Sequence, residues 1–245
     1  MQMIIAPAKA MRVDTDSWPV ASTPALNAEA ATLFRSLQQL TLAEAQAVWR
    51  CSDRLAATNY ARLHATHFDG PRTPAVIGYV GIQYHYMAPD LFTAPAMAYA
   101  QANLRILSGL YGVLRPLDGI VPYRLEMQSR LPDHPSLYAF WGARLHDALD
   151  WSAPVLNLAS QEYAKALTPY LRPGERFIEC VFGRLQGARV QVRATRAKIA
   201  RGAMVRYLAE RQVTTLAGVQ AFDHPEYRFD PARSSDDRLV FLERT

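Results

Sequence analysis

LRILSGLYGVLRPLDGIVPYRLEM, residues 104–127, carries the densest pattern in this chain, and the fold turns on how it is read. Gly109 and Gly112 bracket Leu110 and Tyr111, a spacing that lets the backbone reverse sharply and leaves N–H groups free at the turn. Two readings stand. In one, the turn joins helical segments and its donors cradle a phosphate, with Arg105, Arg115 and Arg124 beside it to hold the anion by paired hydrogen bonds. In the other it is a plain tight turn, and Leu107, Leu110, Val113 and Leu114 fill a core. PYRLEM, 122–127, reads as an extended stretch presenting Tyr123, Arg124 and Glu126. Arg124 and Glu126 form either a structural ion pair or a cleft pair in which the arginine holds an anion and the carboxylate tunes it or acts as a base.

Upstream, QMIIA at 2–6 is a short buried strand stopped by Pro7, which places Lys9 just beyond a strand end. Residues 27–50 read as two helices, the second announced by a capping box of Thr41 and Glu44, and 53–67 as a third. AVIGYVGI at 75–82 reads as a buried strand. AMAYAQANLRIL reads as a helix running to Ser108 and Gly109. Downstream, strands are expected at 120–124, 154–158, 177–182, 188–194 and 238–243, and helices at 136–150, 159–171, 194–210 and 213–222. No repeat or linker divides residues 1–245, so the pattern predicts one mixed α/β domain with a central sheet covered by helices.

Within NLASQEY at 157–163, Asn157 sits at a strand end, either binding a ligand or satisfying the backbone, and Ser160 can cap the helix that contains Tyr163. The net charge of +5 is concentrated in one place: Arg184, Arg189, Arg193, Arg196, Lys198, Arg201 and Arg206 fall in a stretch with no Asp or Glu. Lys198 and Arg201, three apart on a helix, can converge on one target. Like charges near a helix start oppose the helix dipole, which favours an anionic partner.

Several chemistries fall away. Half of the residues are apolar, but no uninterrupted run is long enough to span a membrane, and the N-terminus lacks a signal-peptide core, so a cytoplasmic protein with no membrane partner is expected. Cys51 and Cys180 have no metal or redox spacing and read as reduced thiols. The histidines form no metal pattern, and neither a nucleotide-binding loop nor a hydrolase elbow is present, so no metal and no cofactor are expected.

Eight ordered motifs resemble the YaaA family of bacterial proteins, also called the UPF0246 or DUF328 group: APAK at 6–9, CSDRLA at 51–56, LSGLYGVLRPLD at 107–118, PYRLEM at 122–127, LYAFWG at 137–142, NLASQEY at 157–163, AKIARGAM at 197–204 and LVF at 239–241. The resemblance implies a cytosolic peroxide-stress protein that limits unincorporated iron and protects DNA. It also implies an unusual α/β fold with a positively charged cleft, a helix-hairpin-helix element and binding of duplex DNA. That element would lie at SGLYG, 108–112. Many relatives carry FKGDVY where this chain has YVGIQY at 79–84, so the Lys and Asp are missing and Gln83, Tyr84 and His85 are the polar residues available in their place.

The leading expectation is non-specific, salt-sensitive DNA binding through Lys9, Arg105, Gly109, Gly112, Arg115, Arg124, Arg193, Lys198 and Arg201. The competing one is an enzyme of unassigned reaction acting on a small phosphate- or carboxylate-bearing molecule, in a pocket with Tyr123, Glu126, Asn157, Ser160 and Tyr163. An open groove would favour the first, and an enclosed pocket the second.

Overall fold

Gln2–Ile5 is buried at every position with no alternation, the pattern of a strand covered on both faces, and it forms an inner strand of the sheet. The computed structural model describes residues 1–132 and 134–244. Its eight-stranded sheet contains β1 (Gln2–Ile5), β2 (Leu104–Ser108), β3 (Gly112–Leu114), β4 (Val155–Leu158), β5 (Phe177–Gln186), β6 (Arg189–Gln191), β7 (Tyr227–Phe229) and β8 (Arg238–Glu243). Across the sheet the order is β7-β8-β5-β4-β1-β2-β3, with β6 folded back on β5. Strands β2, β1, β4, β5 and β8 run parallel, while β3 and β7 close the two edges antiparallel. In chain order the parallel strands are arranged 2-1-3-4-5, a doubly wound order whose switch point lies between β1 and β4.

The helices that bear on the site are α1 (Asn27–Gln38), α2 (Leu42–Trp49), α3 (Asp53–Ala65), α4 (Ile82–Met87), α5 (Ala94–Asn103), α6 (Gln161–Ala164) and α7 (Ala194–Glu210), with other short helical segments among the described residues. The capping box forms as expected: Thr41 Oγ1 accepts from the Glu44 N–H at 3.3 Å, and the Thr41 N–H donates to Glu44 Oε2 at 2.8 Å. The α/β class is therefore as expected, and the strands at the N-terminus, 154–158, 177–182 and 238–243 fall where the sequence places them.

The 104–127 stretch corrects the local reading. Helix α5 stops at Asn103, whose side-chain amide donates to the Tyr99 carbonyl, and Leu104–Ser108 becomes a strand because the slot beside β1 buries it completely. The 108–112 turn joins the antiparallel strands β2 and β3, so it is a hairpin of strands and not of helices. Its glycines are explained by packing. A Cβ on Gly109 would lie 2.4 Å from the Leu125 carbonyl oxygen, and Gly112 has φ +72 with Leu26, Leu145 and Trp141 closed around it.

Ala75–Gly78 is a single helical turn in place of a strand, since an apolar run this short suits either, and its first N–H groups are taken by the Asp118 and Pro116 carbonyls. Of the expected 120–124 strand only Ile120 pairs, in the two-residue strand Gly119–Ile120. The 136–150 helix is broken at Gly142, φ +52, into Leu137–Trp141 and Arg144–Asp147.

Helix α4 crosses α7 at Gly202, where a Cβ would meet the Gln83 carbonyl oxygen at 2.2 Å and the Met87 nitrogen at 3.0 Å. Both obstacles are backbone, so Gly202→Ala must push the helices apart. We expect a loss of about 1–3 kcal/mol and a Tm lower by roughly 2–12 °C, measured by thermal unfolding. An unchanged Tm would contradict the close crossing.

Candidate functional site

The carboxyl ends of β1 and β4 open into a cavity of about 510 Å³. Open α/β sheets bind ligands at this place, because the chains leaving neighbouring strands there diverge. Five segments line it: Ala6–Ala10 after β1, Val80–Tyr84 entering α4, Tyr123–Glu126, Ser160 with Glu162 and Tyr163 at α6, and Lys198 with Arg201 on α7. Helix α4 is tied to both strand ends: the Tyr84 hydroxyl donates to the Ala6 carbonyl at 3.0 Å, and the Gln83 amide to the Leu158 carbonyl at 3.5 Å.

Tyr123–Glu126 is held from below by a buried chain of hydroxyls. Ser108 Oγ accepts the Leu110 and Tyr111 N–H groups at 3.2 and 2.8 Å and bonds the Tyr123 hydroxyl at 2.7 Å, which bonds that of Tyr79 at 2.6 Å. Burial drives the Tyr79, Tyr84, Tyr123 and Tyr163 phenols above their ordinary value, so all four stay protonated near neutrality.

The cavity wall carries four cations, Lys9, Arg124, Lys198 and Arg201, and two carboxylates, Glu126 and Glu162. Glu126 bridges Lys9 Nζ at 3.2 Å and Arg124 Nη2 at 3.4 Å, with Lys9 largely exposed and the arginine and glutamate mostly buried. Trp49 anchors the arginine, its indole N–H donating to the Arg124 carbonyl at 2.6 Å. Arg124 Nε, Glu126 Oε1 and Arg201 Nε are shut off from solvent without a hydrogen-bond partner. Arg201 forms no ion pair among the described residues, and burial lowers its pKa. Its neighbour Cys180 is a free thiol pushed up to about 12 by burial, against the pull of Arg201, and so stays protonated.

Lys9, Arg124, Lys198, Arg201, Tyr123, Glu126, Ser160 and Tyr163 thus border one space. Ser160 stands at the start of α6 but makes no capping bond, which leaves its hydroxyl to the cavity. Other candidates lie elsewhere. Gly109 and Gly112 are core, and the Trp141 indole donates to the Gly109 carbonyl at 3.0 Å. Arg105 and Arg115 border a separate recess of about 310 Å³ with Ser22 and Asp118. Asn157 is buried, its Oδ1 accepting from the Ala159 N–H at 3.0 Å, a local backbone role. The basic run is acid-free only along the chain: Arg193 pairs with Glu243 at 2.7 Å, Arg196 with Glu226 at 2.8 Å and Arg206 with Glu210 at 2.7 Å.

Glu162, Val80 and Ile82 line the cavity without having stood among the residues expected there from the sequence. Gln83 and Tyr84, expected to stand in for the missing pair, do line the cavity, while His85 does not. For Glu162 the available signal was its place in the same strand-to-helix turn as Ser160.

Fold and cavity together define a doubly wound α/β protein whose concave site lies at the carboxyl ends of its central strands. The chain belongs to the family described as Peroxide stress protein YaaA, whose pattern it matches over residues 1–233. It is 51% identical over 245 residues to a UPF0246 protein of Lactiplantibacillus plantarum, with 99% of each chain covered. UPF0246 proteins of Lacticaseibacillus paracasei and Pediococcus pentosaceus are 49% and 46% identical, covering 99% of this chain and 99% and 98% of their own lengths. No helix among the described residues is long and apolar enough to cross a membrane.

Burial raises the pKa of Glu162, the nearby Glu126 adds to the rise, and the Gln128 N–H, donating to Oε1 at 3.2 Å, opposes it. A carboxyl whose folded pKa exceeds its unfolded one costs stability as pH climbs above the unfolded value, the cost growing until the folded pKa is passed. Glu162→Gln removes that cost and keeps an acceptor for Gln128. Its urea midpoint relative to wild type should therefore rise between pH 4 and pH 7; a constant difference would show that Glu162 is not desolvated.

Proposed function

We propose that this peroxide-stress family member works by binding a small anion, bearing a phosphate or carboxylate, in the switch-point cavity. Arg201 and Lys198 are the anion-binding residues, and Arg124 with Lys9 completes the cationic lining around Glu126. The observation that carries this reading is Arg201, a guanidinium lining the cavity with its Nε buried and unpartnered and no carboxylate in ion-pair reach among the described residues. Glu179, beyond ion-pair distance, offsets that desolvation only in part, so the charge is costly, and an anionic ligand supplies a closer counter-charge. A cavity of about 510 Å³ also falls within the ordinary size of small-molecule sites, roughly 300–1,000 Å³. Lower free iron and protected DNA, the cellular effects that the family resemblance implies, enter this proposal as consequences of ligand binding.

Duplex DNA is the second reading, and the exposed Lys9 and Lys198 at the cavity favour it. Against it stand the burial of the 108–112 turn and the pairing of Arg193, Arg196 and Arg206 with carboxylates. A helix-hairpin-helix grip on phosphates has no element at 108–112 to supply it.

Calorimetry with inorganic phosphate and pyrophosphate should show saturable binding, and Arg201→Gln should weaken it by about 2 kcal/mol, roughly thirty-fold. Equal affinity in the variant would remove Arg201 from the site. For DNA, a duplex titration between about 50 and 200 mM salt gives the contrast. A fall in affinity on the order of a thousand-fold or more marks a phosphate-tracking surface of many contacts, whereas the small-anion reading expects weak binding at both salt concentrations.

A further inference from the structure

The cavity is two-sided. Val80 and Ile82 both line it, and each is a large apolar side chain left more than two-fifths exposed. They flank Gly81, where a Cβ would stand 3.2 Å from that of Ala8, so this segment lies directly against the loop leaving β1. Ala6, Ala8 and Leu125 continue the apolar lining. Tyr84 also borders the cavity, though it is buried, and its hydroxyl donates to the Ala6 carbonyl.

The cationic side is one helix crossing away. Arg201 immediately precedes Gly202, which touches the Gln83 carbonyl, and Gln83 immediately follows Ile82. The closest backbone approach of α4 to α7 therefore sets the spacing between the apolar wall and the unpaired guanidinium. A hydrated inorganic anion would satisfy Arg201 and leave Val80 and Ile82 facing water. Scattered apolar residues on a surface need no occupant, but two that share a concavity with a partly buried guanidinium that forms no ion pair among the described residues match a ligand with both characters.

From this juxtaposition we infer that the ligand is an amphipathic anion, a free small molecule whose phosphate or carboxylate meets Lys198 and Arg201 and whose apolar body lies along Val80 and Ile82. The inference rests on the small-anion reading above and deepens it. Selectivity for the body comes from burial of carbon, worth about 0.8 kcal/mol per methylene, which is about four-fold in Kd. Selectivity for the head comes from charge.

The test is an affinity series with the full chain at fixed ionic strength: inorganic phosphate, then methyl, butyl and hexyl phosphate, by calorimetry. Wild type should gain up to about four-fold in affinity per methylene until the wall is covered. The double variant Val80→Ser with Ile82→Ser, its folding verified by thermal unfolding, should lose most of that gain, so the slope is compared and not the baseline. Arg201→Gln should weaken every member together.

Phosphate binding with no chain-length gain overturns the amphipathic ligand and leaves the anion site standing. An equal gain in the double variant also overturns it, since the body then lies elsewhere. No binding by any member removes both readings. Co-sedimentation with anionic phospholipid vesicles, without affinity for hexyl phosphate, would overturn the free small molecule in favour of a membrane headgroup.

Discussion

The hydroxyl of Ser108 holds this structure to its site. It stands at the carboxyl end of β2, fully buried, and accepts the two N–H groups that open the hairpin to β3. The same oxygen bonds Tyr123, and Tyr123 bonds Tyr79. Three stretches distant in sequence, the central sheet, the cavity wall at 123–126 and the segment entering α4, are locked together by one line of polar atoms without access to water. Such a network is stabilising only when each member is satisfied, because an orphaned hydroxyl in this dielectric costs as much as the bonds contribute. The burial that makes the network necessary also keeps its phenols protonated and able to donate.

The cavity above this network follows a different rule. Its polar groups are left incomplete: Arg124 Nε and Arg201 Nε make no hydrogen bond, and Glu126 Oε1 has only the ion-pair contact with Arg124, while the hydroxyl chain beneath them is satisfied. A folding core gains nothing from unpaired donors such as these two arginine nitrogens, whereas the anion proposed above would be drawn to the charge they carry. The sheet explains why they collect there. At the switch between β1 and β4 the connections run to opposite sides, and α4, α6 and α7 cannot close over the opening completely.

Charge illustrates how far a linear reading carries. The run from Arg184 to Arg206 contains no acid, yet Glu226 and Glu243, from the C-terminal part of the chain, return beside Arg196 and Arg193. What is left over in the cavity is Lys198 and Arg201, three apart on α7. The spacing of that pair was legible, because helical periodicity depends only on local geometry. Which of the other arginines would be neutralised was not, since the partners come from elements about thirty and fifty residues away.

By itself the sequence determined the α/β class, the buried N-terminal strand, the capping box of α2, the long basic helix and the family, all of which rest on local periodicity or on ordered motifs. It also placed Lys9, Arg124, Glu126, Ser160 and Tyr163 among the candidates that share the cavity. The tertiary structure alone decided that LRILS is a strand, because pairing with β1 in a fully buried slot outweighs the helical continuation suggested by α5. It decided likewise that the glycines of SGLYG admit the Leu125 backbone and the Leu26, Leu145 and Trp141 side chains in place of a phosphate. The physical reason is the same in both cases: a glycine or a short stretch such as LRILS records that something comes close, but the identity of that neighbour is set only when distant segments pack.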